Sequence, residues 1–146
     1  MFNFSYLRDP GTDPAPLLPG LGAVMWLAQY SPLHQRYPTG RLLRRVLPSL
    51  ELNQYRSYTL NGRPIGFVNW AWLDDIASAR FAQGDYDLLP HEWQGGKNLW
   101  FPEIIAPFGH GTDIMLDLRT QFPEGTTARA VYVNPDGSFR RVQKFR

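Results

Sequence analysis

The chain contains no cysteine. That excludes disulfides, thiolate zinc sites and cysteine nucleophiles together. Long apolar runs are also missing, since nothing approaches the roughly 18 continuous residues that a membrane-spanning helix requires. The opening "MFNFSYLRDPGTDPAP" lacks the basic stretch followed by an apolar run that marks a signal peptide. Charge is sparse: 19% of the 146 residues are acidic or basic and the net charge is +2. Such a balance carries no nucleic-acid footprint. The densest basic clusters, "RLLRR" (41–45) and "RRVQKFR" (140–146), read as solvated faces, equally suited to an acidic protein partner. Three histidines are present, His34, His91 and His110, without HxxxH or HExxH spacing, so no metal site is expected. No Gly-rich phosphate loop and no GxSxG elbow appears. These absences lead to the expectation of a soluble, cytoplasmic domain without metal, nucleic acid or membrane span.

What is present is apolar and aromatic. Hydrophobic residues make up 43% of the chain and aromatics 14%, enough for one real core with aromatic-lined surfaces besides. Exposed aromatics on a small domain suggest partner surfaces, and a homodimer is expected. Residues 10–20, "PGTDPAPLLPG", are broken by prolines, so 1–19 reads as an irregular leader and 20–146 as a single domain.

Periodicity orders that domain. "LGAVMWLAQY" (21–30) has helical apolar spacing, and Ser31-Pro32 stops it. Thr39 is placed to cap a second helix, "GRLLRRVLPSL", which Pro48 is expected to break. Over 54–73 the period drops to two around Asn61-Gly62, the strongest short hairpin signal. A helix is predicted over 74–84. "NLWFPEIIAPFG" (98–109) reads as a strand leading into a loop. Another helix, capped by Thr112, is predicted over 111–125, and two strands follow, "TARAVYVN" and "SFRRVQKF", joined by "NPDG". The order α-α-β-β-α-β-α-β-β gives an α/β or α+β fold with a mixed sheet.

One histidine is oddly placed. In "SPLHQRYPTG" (31–40), His34 lies between two prolines in a stretch too broken to be a helix and too polar for a buried strand. Alone, it reads more readily as a structural or merely exposed loop residue than as a catalytic one. Its neighbours add more. "GAVMWLAQYSPLHQRYP" (22–38), "VLPSLELNQY" (46–55), "WAWL" (70–73) and "WFPEIIAPFG" (100–109) form an ordered series. That series resembles the toxin-activating lysine acyltransferases, which fatty-acylate internal lysines of RTX haemolysin-type protoxins. Gly22, Val24, Trp26, Leu27, Ser31, Pro32 and His34 carry the first block. Asn53, Gln54 and Tyr55 carry the second, and Trp70 and Ala71 the third. Trp100, Ile105, Ala106, Pro107 and Phe108 carry the last.

The resemblance implies a GNAT-like, mainly antiparallel acyltransferase fold flanked by helices. It implies an acyl carrier protein as acyl donor, no other cofactor, and a protoxin-like protein bearing the target lysine. The family's essential histidine falls on His34 and its essential aspartate on Glu103, a carboxylate one methylene longer. Gly96, Lys97 and Asn98 stand where the family commonly has Gly-Asp-Arg. The chemistry is coherent with the pair. With a reference pKa near 10.4, only about one lysine in ~2,500 is neutral at pH 7, so freeing the nucleophile costs roughly 4.6 kcal/mol. A histidine base takes that proton as attack proceeds, and a carboxylate on its other nitrogen fixes the tautomer. Ser31, Asn53, Gln54, Trp70 and Trp100 are the candidate substrate-binding residues. Each also has a plain alternative: a turn at Ser31, backbone pairing at Asn53 and Gln54, core packing at the tryptophans, an exposed carboxylate at Glu103. The changes at Glu103 and at Lys97-Asn98 also suit a non-catalytic adaptor that binds a secreted protein or acyl carrier protein. Such an adaptor would hold His34 out of reach of Glu103.

Overall fold

The computed structural model describes residues 13–146. Helix α1 (Leu18–Ala28) begins inside the segment expected to be an irregular leader, because Pro19 suits a first helical turn, where its missing N–H leaves no bond unmade. Residues 1–12 of that leader lie outside the described residues. Helix α2 (Thr39–Glu51) differs from expectation twice. Thr39 is its first helical residue and makes no capping bond. Pro48 lies inside it without breaking it. The proline removes one bond to the carbonyl of Arg44, an exposed residue, while Val46 and Leu50 on the opposite face are buried and hold the last turn in place.

The α2 stop is a complete C-terminal motif. Asn53 adopts φ 56°, Asn53 N–H donates to Leu50 O, and Gln54 N–H donates to Ser49 O at 2.8 Å. Strands β1 (Tyr55–Leu60) and β2 (Arg63–Asn69) follow as an antiparallel hairpin. Its turn residues Asn61 and Gly62 have φ of 52° and 74°, as a type I′ turn demands. After β3 (Ala71–Leu73), the Asp74 side chain accepts from Ala77 N–H and caps α3 (Asp75–Phe81).

The strand expected over 98–109 is two short strands, β4 (Asn98–Trp100) and β5 (Ile104–Ile105), parted at Pro102. Helix α4 (Gly111–Arg119) ends earlier than expected, and His110 rather than Thr112 occupies its cap position. Strands β6 (Ala128–Val133) and β7 (Phe139–Phe145) close the fold as an antiparallel pair.

Among the described residues the strands form two sheets, ordered β1-β2-β5 and β3-β4-β6-β7, in which only β4–β6 is parallel. The fold is α+β and mainly antiparallel, with helices packed on the sheets. Alternation along each strand feeds different cores. Phe67 and Ile105 pack with α1 and α2, whereas Val68, Leu99 and Phe101 pack with Ile114 and Leu118 of α4. Ala71, Leu73 and Trp100 pack with Phe81 of α3 and with Trp93. The chain passes between sheets three times: at Trp70, joining β2 to β3, across 101–103, joining β4 to β5, and through α4, leading from β5 to β6. Asn69 staples the first two crossings together. Its N–H donates to Glu103 O, and its side-chain oxygen accepts from Glu103 N–H at 2.8 Å.

Candidate active site

Ser31-Pro32-Leu33 carries the chain from α1 into a single 3₁₀ turn, His34–Arg36, and this turn aims His34 inward. The imidazole is only 5% exposed. Its Nε2 lies 2.6 Å from Glu103 Oε2. An ionised carboxylate only accepts, so Nε2 carries the ring proton and the Nδ1 lone pair is left free. That lone pair meets the Ser31 hydroxyl at 2.5 Å. The result is a continuous chain, Ser31–His34–Glu103, in which the carboxylate fixes the tautomer and the hydroxyl faces the basic nitrogen.

Glu103 is 3% exposed and its other oxygen accepts from Arg45 Nε. Arg45 also donates to Pro102 O and to Asp87 Oδ1, both at 2.8 Å. Burial is the largest single influence on Glu103 and pushes its carboxyl up. The Arg45 charge and the His34 hydrogen bond outweigh it, and the carboxyl falls to about 2. Glu103 is therefore ionised throughout the working range. Burial likewise opposes the charge on Arg45, and Glu103 more than offsets it. Asp87 is pushed up by its partial burial, but hydrogen bonds from Arg41 and Arg45 hold it below the usual carboxylate range.

The backbone beneath this cluster is fixed too. The Asn69 amide donates to Arg45 O at 2.9 Å and to Ser49 Oγ at 3.1 Å, tying α2 to the first two sheet crossings. Tyr37 closes one side: its ring lies 5.2 Å from that of His34, with the Arg41 guanidinium 4.8 Å above it. Burial first, and then the Glu103 charge, raises the Tyr37 phenol to about 12, so it stays protonated. The cluster opens into a cavity of about 350 Å³ lined by Ser31, His34, Arg45 and Glu103, among others. Beside it stands an exposed aromatic ridge, Trp26–Tyr30–Phe108, with ring centroids 5.8 and 5.1 Å apart.

Of the residues singled out in the sequence, Ser31, His34 and Glu103 meet. Asn53, Gln54, Trp70 and Trp100 do not line that cavity, and each has a structural task instead. Asn53 supplies the left-handed residue that ends α2. The Gln54 amide donates to Trp70 O and Trp93 O, joining the first crossing to the segment before β4. Trp70 packs edge-on against Phe122. Trp100 is fully buried and donates its indole N–H to Ser78 Oγ at 2.9 Å. The expected solvated face of "RLLRR" is corrected as well. Arg41 and Arg45 turn inward to Asp87 and Glu103, and Arg44 alone is largely exposed. The i, i+4 spacing of Arg41 and Arg45 on one helix face is the signal that could have paired them. Nothing local to Asp87, Asn69 or Tyr37 marks them. Among the described residues no group of three or more His, Cys, Asp or Glu side chains could hold a metal ion, and no helix is long and apolar enough to cross a membrane.

The model of the RTX toxin acyltransferase family matches residues 16–146. This chain belongs to that family. The lysine-acyltransferase RtxC of Vibrio cholerae is 44% identical to it over 100 residues, covering 68% of this chain and 65% of that protein. The RTX-I toxin-activating lysine-acyltransferase ApxIC of Actinobacillus pleuropneumoniae is 36% identical over 134 residues, covering 86% and 72%. The protein-lysine myristoyltransferase HlyC of Escherichia coli is 32% identical over 125 residues, covering 86% and 73%. The chain thus spans just under two thirds of the length of the Vibrio relative and somewhat more of the other two. Within this RTX toxin acyltransferase family member, all three crossings and all of α2 lie inside the matched region.

Proposed function

We propose that the chain is a protein-lysine fatty acyltransferase, passing an acyl group from acyl carrier protein to an internal lysine of a protoxin-like protein. The observation that carries this reading is the buried 2.6 Å bond between His34 Nε2 and Glu103, with Nδ1 against the hydroxyl of Ser31 and both Ser31 and His34 lining a cavity. An adaptor needs no such pairing, and the separation of His34 from Glu103 expected of one is not found.

In the proposed step, the lysine nitrogen attacks the thioester carbonyl as its proton passes to Nδ1 of His34. The tetrahedral adduct collapses, the C–S bond breaks, the amide forms, and the imidazolium returns the proton to the departing thiolate. Glu103 stabilises the imidazolium in between. The thioester is already activated, so the scheme calls for no further cofactor.

The 2.5 Å contact between Ser31 Oγ and Nδ1 favours a second reading of the same chemistry: His34 deprotonates Ser31, the acyl group rests on Oγ, and lysine then takes it. Incubation with myristoyl-loaded acyl carrier protein and a protoxin-type target, followed by intact mass, tests both. An acyl adduct on a target lysine is expected. Its absence with an active control enzyme would sink the proposal. Rapid quenching without the target separates the two routes: an ester adduct that Ser31→Ala abolishes marks the two-step route, and no adduct marks direct transfer.

A further inference from the structure

We propose that a second cavity, behind Phe101, Ile104 and Tyr132, holds the hydrocarbon tail of the acyl donor; this rests on the acyltransferase reading of the site. These three residues line both cavities, so the second begins where the first ends. Its volume is about 880 Å³, against about 350 Å³ for the cavity at His34. The walls differ in kind. The first contains Arg41, Arg45 and Glu103. An alkyl chain laid there would strip water from charged groups without replacing it. The second is walled by Leu99, Met115, Leu118 and Phe122 between α4 and the second sheet. Its charged residues, Arg119, Glu124, Lys144 and Arg146, are all exposed and stand at its rim.

An unbranched chain suits such a space. Met115 is half-buried and, with no branching, can follow the chain's contour. Each methylene moved from water into an apolar wall is worth about fourfold in affinity, so binding should climb steeply with chain length. With the thioester carbonyl beside Ser31 and His34, the tail passes over Ile104 and Tyr132 and comes to rest under α4.

Binding can be measured without turnover, by displacing cis-parinaric acid from the full chain with myristate or butyrate. Saturable binding is expected, displaced by myristate and not by the same concentration of butyrate. Met115→Trp and Thr112→Trp, the latter at an exposed position on the cavity wall, each weaken binding at least tenfold. No saturable binding by the parent, or unchanged binding in both tryptophan variants, overturns the proposal. Where turnover is measurable, the ratio of myristoyl to butyryl transfer also falls at least tenfold in Met115→Trp. An unchanged ratio overturns the proposal and leaves the acyltransferase reading standing. A parent that binds myristate in this cavity but acylates nothing does the reverse.

Discussion

Glu103 gives one carboxylate oxygen to His34 Nε2 and the other to Arg45 Nε. Both neighbours donate, so only a group with two acceptors satisfies the position. This requirement, rather than a carboxylate for its own sake, decides what substitutions there do.

Glu103→Gln offers one acceptor and one donor, so its amide faces either Arg45 or the imidazole N–H with a hydrogen atom. Turnover should fall by roughly 10³–10⁴-fold, as when a triad carboxylate becomes an amide. His34→Ala should cost at least as much, and the double variant little more, because one unit is being disabled. Full activity in Glu103→Gln, with circular dichroism unchanged, would remove Glu103 from the mechanism.

Glu103→Asp introduces the residue that the family resemblance leads one to expect here, but withdraws the carboxylate by about one bond. The main chain cannot follow, because Asn69 bonds both the N–H and the carbonyl of residue 103. A loss of about a hundredfold in kcat is expected, the effect of a displacement near 1 Å at a reacting group. Parental kcat would show that the crossing is softer than its hydrogen bonds suggest.

Arg45 matters for the fold before it matters for chemistry. Arg45→Met leaves Glu103 buried without its main counter-charge and Asp87 short of a partner. Roughly 3–5 kcal/mol should be lost, read as a lower urea midpoint at unchanged m. Arg45→Lys should recover only part of this, since one ammonium cannot reach Glu103, Asp87 and Pro102 O in the geometry of the guanidinium fork.

The acid limb of stability follows from the same carboxylate. Its folded value of about 2 lies below its ordinary 4.5, so the unfolded chain holds that proton more tightly. The contribution is complete above about 4.5 and disappears as pH falls toward 2, and its full size is roughly 3 kcal/mol. Parent and Glu103→Gln should therefore converge by roughly 2 kcal/mol in urea stability between pH 5.5 and pH 3. A constant gap would contradict the assignment.

Asn53 discriminates between substrate contact and helix stop. Asn53→Gly should leave stability and turnover near parental values, and Asn53→Ala should cost about 1 kcal/mol because alanine tolerates φ 56° poorly. A loss of turnover in Asn53→Gly without loss of stability would return the residue to the binding site.

How far the chain could be read in advance depended on range. Asn61-Gly62 announces its hairpin because the turn's demand for positive φ falls on two adjacent residues. The helix over 74–84 is announced by its opening acids and the helical spacing of Ile76, Ala79 and Arg80, signals that act within a turn or two. The pairing of His34 with Glu103 was legible only through the order of motif blocks, as nothing local connects residues 69 apart. Arg41 and Arg45 were misread because an arginine's surroundings, not its type, decide whether it faces water. Gln54 and Asn69 show the same blindness: an amide that bonds main chain across a sheet crossing looks, in sequence, like any polar residue. Pro48 failed as a helix stop because two buried residues outweighed one missing bond.

The Asn69 staple has a consequence for the order in which the molecule assembles. The β1–β2 hairpin is local and can close early, whereas the bond between Glu103 and His34 waits for both sheets and for α2 to dock. The staple itself spans 34 residues and joins two of the three places where the chain changes sheets. Competence for chemistry therefore arrives with the slowest event rather than with the bulk of the secondary structure. During refolding, recovery of turnover should trail recovery of far-ultraviolet circular dichroism, and a chain halted after its hairpin would be ordered yet inert.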